Sequence, residues 1–174
     1  MHRIIFFISL FTVELTFAQG EWIKINAPFT LDLECMYVHD SSNVWIAGDS
    51  GTIGYSSDWG ASWILQHSND SYFIKDIHFI DSLNGWAVGL QTVPPFTQIY
   101  YTTDGGNNWT VSIFPDELIA LRSIYFVDSL TGYLGGGSGS LYKTVDAGFK
   151  WTECNVDSFR LDINNIHFID ANNG

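Results

Sequence analysis

Short apolar runs separated by polar turns fill the chain beyond residue 20, and they recur in a fixed order. A first run ends in Asp three times: CMYVHD at 35–40, DIHFID at 76–81 and SIYFVD at 123–128. A polar turn follows (SSN, SLNG, SLTG), then a second run: Val44-Trp45-Ile46-Ala47-Gly48, Trp86-Ala87-Val88-Gly89 and Tyr133-Leu134-Gly135-Gly136. The third run is Thr52-Ile53-Gly54-Tyr55, Ile99-Tyr100-Tyr101 or Leu141-Tyr142-Lys143, and the fourth is WILQ, WTVS or WTEC. Aromatic and β-branched residues suit a pleated, half-buried surface, and Gly/Asn/Asp/Ser clusters mark turns. Each repeat therefore reads as four short strands. After the N-terminal leader no stretch sustains a helical period of about 3.6 residues, so no helix is predicted.

One motif joins the third and fourth runs. SSDWGASW at 56–63, TTDGGNNW at 102–109 and TVDAGFKW at 144–151 share Ser/Thr-x-Asp-x-Gly-x-x-Trp. The residues are Ser56, Asp58, Gly60 and Trp63; Thr102, Asp104, Gly106 and Trp109; Thr144, Asp146, Gly148 and Trp151. An Asp in this place accepts N–H bonds from the turn after it. Gly two positions on takes a positive φ without steric cost. Trp then opens the next strand and lays a large flat ring beneath the turn. The residue between Asp and Gly varies (Trp59, Gly105, Ala147), which predicts an outward-pointing position. Carboxylates satisfied by backbone donors are structural, so these aspartates are expected to be neither catalysts nor metal ligands.

The box aspartates are 46 and 42 residues apart, and a four-stranded propeller blade takes about 40–50 residues. Tandem units at this period predict an all-β chain, a β-propeller of four-stranded antiparallel blades. The boxes, together with FIDSLNGWAVG at 79–89 and FVDSLTGYLGGG at 126–137, resemble the Asp-box (BNR-repeat) propeller superfamily. The likeness is greatest to its photosystem II stability/assembly-factor-like branch and covers residues 22–174. Blades are expected at 33–67, 73–114 and 121–156. Trp22-Ile23-Lys24-Ile25 matches the fourth run and lies 41 residues before Trp63, so 22–28 reads as a strand that closes the last blade. Residues 163–174 match the first strand and turn of a fourth blade. Propellers have about 4–8 blades, so the pieces read as an incomplete fragment; a ring of six or seven needs roughly 250–320 residues.

Residues 1–18 read as a secretory signal peptide: His2 and Arg3, an apolar core from Ile4 to Val13, and a small-x-small site at Thr16-Phe17-Ala18 before Gln19. The core is shorter than the roughly 20 residues a membrane span needs. The expected location is the periplasm, cell surface or extracellular space, over residues 19–174. The chain carries seven basic and 19 acidic residues, and the leader takes one of each, so the net charge stays −12. Such a balance argues against nucleic acid and anionic membranes as partners. Cys35 and Cys154 fall two blades apart in a closed ring, and a disulfide tolerates a Cα separation below about 7 Å, so no bond between them is expected.

Candidate chemistry is sparse. Sialidases carry the same box, but their arginine clamp needs three arginines, and beyond the leader only Arg122 and Arg160 are present. A xyloglucanase-like site needs two carboxylates facing across a cleft, and no motif marks such a pair. Gly135-Gly136-Gly137-Ser138-Gly139-Ser140 lacks the Lys-Ser/Thr and helix of a phosphate loop and reads as a strand-to-strand turn. His78 and His167 share a register with Tyr37 and Tyr125, which suggests a packing slot with a polar tip and not a metal site. Asn69-Asp70-Ser71 and Asn108-Trp109-Thr110 match the glycosylation sequon. No cofactor and no metal are expected.

A binding face is expected at the end of the blades opposite the boxes. Repeat 2 is longer there: Gly89 to Thr102 spans 13 positions, against 8 from Gly48 to Ser56 and from Gly136 to Thr144. Val93-Pro94-Pro95-Phe96 form a stiff apolar tip, Lys75 and Arg122 share one register, and Tyr72, Phe73 and Phe114 lie in nearby connections. Exposed aromatics with a few cations suit a protein or glycan partner. The resemblance implies a non-enzymatic scaffold for protein–protein or surface-polymer contact; the alternative is a glycoside hydrolase whose catalytic residues lie outside this sequence.

Overall fold

The computed structural model describes residues 28–68, 71–92, 95–115, 119–154 and 161–174. The leader, the closing strand up to residue 27, Asn69, Asp70, Val93, Pro94 and Arg160 lie outside the described residues.

The predicted strands form three four-stranded antiparallel sheets, each in sequence order. The first holds β1 (Leu33–Val38), β2 (Val44–Gly48), β3 (Ile53–Ser56) and β4 (Ile64–His67). The second holds β5 (Phe73–Phe79), β6 (Gly85–Thr92), β7 (Pro95–Thr102) and β8 (Thr110–Ile113), and the third β9 (Leu121–Phe126), β10 (Gly132–Gly136), β11 (Leu141–Thr144) and β12 (Thr152–Glu153). Among the described residues the only helical pieces are two single 3-10 turns, Asp49–Gly51 and Gly137–Gly139. The second of these is the expected turn of the glycine tract. The first strands pack on one another, β1 on β5 and β5 on β9. The fourth strands are exposed, β8 throughout its length. The sheets therefore stand as radial blades with their first strands inward, the geometry of a propeller.

Burial between neighbouring blades supplies the core. Trp45 of blade 1 stacks on Phe79 of blade 2 at 3.9 Å, and Trp86 of blade 2 stacks on Phe126 of blade 3 at 3.7 Å. Ile53, Ile74 and Tyr100 fill the first interface, and Leu121, Ile124 and Leu134 the second. A single blade exposes such a face and cannot bury it alone, so consecutive blades stabilise each other.

The three boxes are built alike. Asp58 accepts from Ser62 N at 2.8 Å, Asp104 from Asn108 N at 2.9 Å and Asp146 from Lys150 N at 2.8 Å. The Ser or Thr does as much as the Asp. Its hydroxyl donates to the Asp and accepts from the box Gly amide, at 2.7 Å for Ser56 with Gly60, 2.9 Å for Thr102 with Gly106 and 3.0 Å for Thr144 with Gly148. Both central residues are left-handed: Trp59 and Gly60 at φ 58 and 82, Gly105 and Gly106 at 72 and 85, Ala147 and Gly148 at 62 and 94. The variable position is thus constrained in backbone as well. Trp59 points outward as expected, whereas Ala147 is half-buried and its carbonyl takes the Trp86 indole N–H at 3.1 Å. Each box Trp stands one residue before its strand. Thr102 is buried, so Thr102→Val keeps the shape and strips the Gly106 N–H of its acceptor. The expected loss is about 1–3 kcal/mol, read as a lower urea midpoint at unchanged slope.

A second staple recurs in every first hairpin. Asp40 accepts from Ser42 N and Asn43 N, Asp81 from Leu83 N and Asn84 N, Asp128 from Leu130 N and Thr131 N. Asp170 does the same for Asn172 N at 2.8 Å. Residues 163–168, expected as the first strand of a fourth blade, form no ladder among the described residues. They still take a first strand's place on blade 3, with Ile163 N donating to Gly136 O at 2.8 Å and Phe168 O accepting from Tyr125 at 3.1 Å.

Candidate binding surfaces

The face expected to bind a partner is assembled differently from the expectation. Tyr72 and Phe114 are buried, at 9% and 2% exposure. Phe114 packs edge-on against Tyr142 at 4.9 Å. Both are core residues, because the fourth-to-first connections fold inward between blades. Lys75 pairs with Glu34 of blade 1 at 2.8 Å and sits 5.4 Å from the Phe73 ring. Arg122 pairs with Asp162 at 2.6 Å. The two cations thus tie blades together. The longer connection of repeat 2 continues the ladder, with Gln91 opposite Phe96 and Thr92 opposite Pro95. Pro94 at its tip lies outside the described residues. Thr97, near its base, accepts from Leu121 N at 3.2 Å and donates to Ile119 O at 2.8 Å, which fastens the hairpin to blade 3.

The first strands line a trough of about 330 Å³ that includes Tyr37, Asp76, His78, Tyr125, Asn165 and His167. The slot shared by Tyr37, His78 and Tyr125 is a blade-to-blade tie. Tyr37 donates to Phe79 O, His78 Nε2 to Phe126 O at 3.0 Å, and Tyr125 to Phe168 O at 3.1 Å. The carbonyl can only accept, so His78 carries its proton on Nε2. The rings follow one another, His78 to Tyr125 at 4.2 Å and Tyr125 to His167 at 5.6 Å. Burial lowers the His78 pKa to about 4, so the ring is neutral at ordinary pH.

Asp76 is the residue that sequence reasoning missed. It occupies the place of Cys35, Ser123 and Asn165 in the other repeats, and that substitution by small polar side chains was the available signal. Burial pushes its carboxyl up. A buried carboxyl with a raised pKa beside a histidine has the composition of an acid–base pair. Here both oxygens are engaged, by Ile77 N, Ser123 Oγ and Ile124 N, each at 2.9 Å. Ser123 Oγ accepts in turn from Ile166 N at 3.0 Å. The position caps an amide of the following blade.

The box end carries the remaining carboxylates. Side-chain and backbone bonds from Ser62 hold Asp58 below the usual range, those from Asn108 do the same for Asp104, and the Lys150 amide for Asp146. Asn108 Nδ2 donates to Asp104 at 2.7 Å, so the amide a glycan would use is already engaged in the turn. Cys35 and Cys154 are free thiols, and burial pushes the Cys35 thiol far up, which makes it unreactive.

No protein-family model matches the sequence, and no curated protein matches it. Solved structures do. A structure of YCF48 bound to D1 peptide superposes with a TM-score of 0.69 at 24% identity, covering 82% of this chain and 46% of that one. YCF48 from Cyanidioschyzon merolae superposes with a TM-score of 0.62 at 20% identity, over 77% of this chain and 43% of that one. The chain spans less than half the length of these structures. At such identities the likeness establishes the propeller fold alone, as expected from the repeats.

Proposed function

We propose that this chain is a non-catalytic propeller scaffold, exported by the leader at 1–18, whose work is to hold a protein partner in an assembly-factor-like way. The observation that carries the reading is the likeness to a propeller solved with a peptide bound. The use of the carboxylates supports it: the box aspartates, the hairpin aspartates and Asp76 spend their oxygens on amides and hydroxyls of the blades. Contact with a surface polysaccharide is a narrower version of the same proposal. The glycoside hydrolase alternative is tested directly. The full chain is assayed on fluorogenic sialosides and β-glucans, and binding is measured by anisotropy against a panel of labelled peptides. The expected result is peptide binding without turnover; turnover abolished by replacing one acid would overturn the proposal.

A further inference from the structure

One end of the molecule gathers exposed apolar side chains and acids that blade packing does not consume. The first-hairpin turn and the box of each blade share that end: Trp59 N donates to Ser42 O at 3.3 Å, Gly105 N to Leu83 O and Ala147 N to Leu130 O, both at 2.9 Å. Asp40 and Asp58 of blade 1 therefore share this end with Asp81 and Asp104 of blade 2, and Gln66 of blade 1 donates to the Gly105 carbonyl in the box of blade 2 at 2.7 Å. Hydrogen bonds from Asn43 hold Asp40 at about 2, and the other three also lie below their usual value. All four are charged at ordinary pH. Residues 39–43, 57–62, 80–84 and 103–108 contain no Lys or Arg. Among the described residues His39 faces this group, close enough to Asp81 to favour its charge. Lys143 and Lys150 lie on blade 3, near Asp128 and Asp146.

Trp59 is out of place by two independent criteria. It is 58% exposed, so its ring contributes little to folding. Its φ of 58 is left-handed, where blade 2 has Gly105 and blade 3 has Ala147. A bulky residue in that region is strained, and such strain persists where a function uses it. Leu83, at the tip of the neighbouring turn, is 54% exposed.

The geometry points to this end of blades 1 and 2, Trp59 and Leu83 among Asp40, Asp58, Asp81 and Asp104, as the docking surface for a basic protein segment that carries apolar side chains. The inference rests on the protein-partner reading above and adds the place and the chemistry. Lysine or arginine of the segment meets the carboxylates, which steers association and sets orientation. The indole is a rigid anchor for apolar side chains and a face for a cation. The aspartates keep their turn hydrogen bonds, since a carboxylate has lone pairs to spare.

The test uses the full chain and short labelled peptides built from Lys and Leu, Glu and Leu, or Ser and Leu, with oligolysine, at about 0.15 M salt. The Lys/Leu peptide is expected to bind. Trp59→Gly should weaken it about tenfold or more without lowering the thermal midpoint, because Gly suits the left-handed backbone. Ser57→Lys and Thr103→Lys, at exposed positions of the boxes, should weaken it by a similar factor while leaving every staple in place. Unchanged affinity in these variants, or oligolysine binding as tightly as the Lys/Leu peptide, would overturn the inference. If the Glu/Leu or Ser/Leu peptide binds instead, this surface falls and the protein-partner reading stands. If none binds, that reading falls too.

Discussion

Trp86→Ala is expected to lower the free energy of unfolding by about 3–5 kcal/mol, as for other buried aromatic truncations. Trp86 is 4% exposed. Its ring lies parallel to Phe126 at 3.7 Å, and its N–H reaches Ala147 O at 3.1 Å. The change therefore removes packing between blades 2 and 3 and also unties a box. Domains hold only about 5–15 kcal/mol in all, so the variant should be poorly folded at 37 °C. Urea denaturation followed by fluorescence reads the loss, with exposed Trp59→Phe as a spectroscopic control. A loss below about 1 kcal/mol would mean that the two blades do not rely on this contact, contrary to the radial packing described above.

Acidification from pH 6.5 to 4 should destabilise the protein by about 3 kcal/mol through His78 alone. The folded pKa is depressed to about 4 by burial, against about 6.5 in an unfolded chain. Below 6.5 the unfolded state takes the proton first, so stability is full above that value and falls as the pH drops toward 4. Asp76 opposes this at the acid end, because its carboxyl is raised by burial and protonates more readily when folded. His78→Tyr is the decisive variant. Tyr37 and Tyr125 show that Tyr makes the same tie to the next blade, so the staple survives while the titration disappears. The thermal midpoint measured from pH 7 to 4 should flatten in the variant. An equally steep fall in wild type and variant would assign the acid sensitivity elsewhere.

Strands, turns and boxes were legible because their causes are local. In each box the donors and acceptors lie within five residues of one another, as in Thr102, Asp104, Gly106 and Asn108. A repeated local solution leaves a repeated spelling, and three copies separate it from chance. The shared slot of Tyr37, His78 and Tyr125 was visible in the same way, although its carbonyl partners were not. The binding face was misread at Tyr72 and Phe114 because aromatics in connections look alike whether they face water or the next blade. The acids that pair with the cations Lys75 and Arg122, Glu34 and Asp162, are about 40 positions away, so no local pattern records those pairs. Asp76 carries no local mark of its role, because Ser123 and Ile124, which donate to its carboxylate, are 47 and 48 positions away.

By itself the order of residues determined the four-stranded unit, its period and the Asp and Ser/Thr staples, since each is settled by hydrogen bonds between near neighbours in the chain. Only the tertiary structure decided which polar groups bridge blades, which aromatics are core, and that Leu83 stands in the open at the same end as the outward-pointing Trp59. Those outcomes depend on which surfaces two sheets about 40 residues apart present to each other, and hydrophobic burial rewards contact without recording the partner in either local sequence.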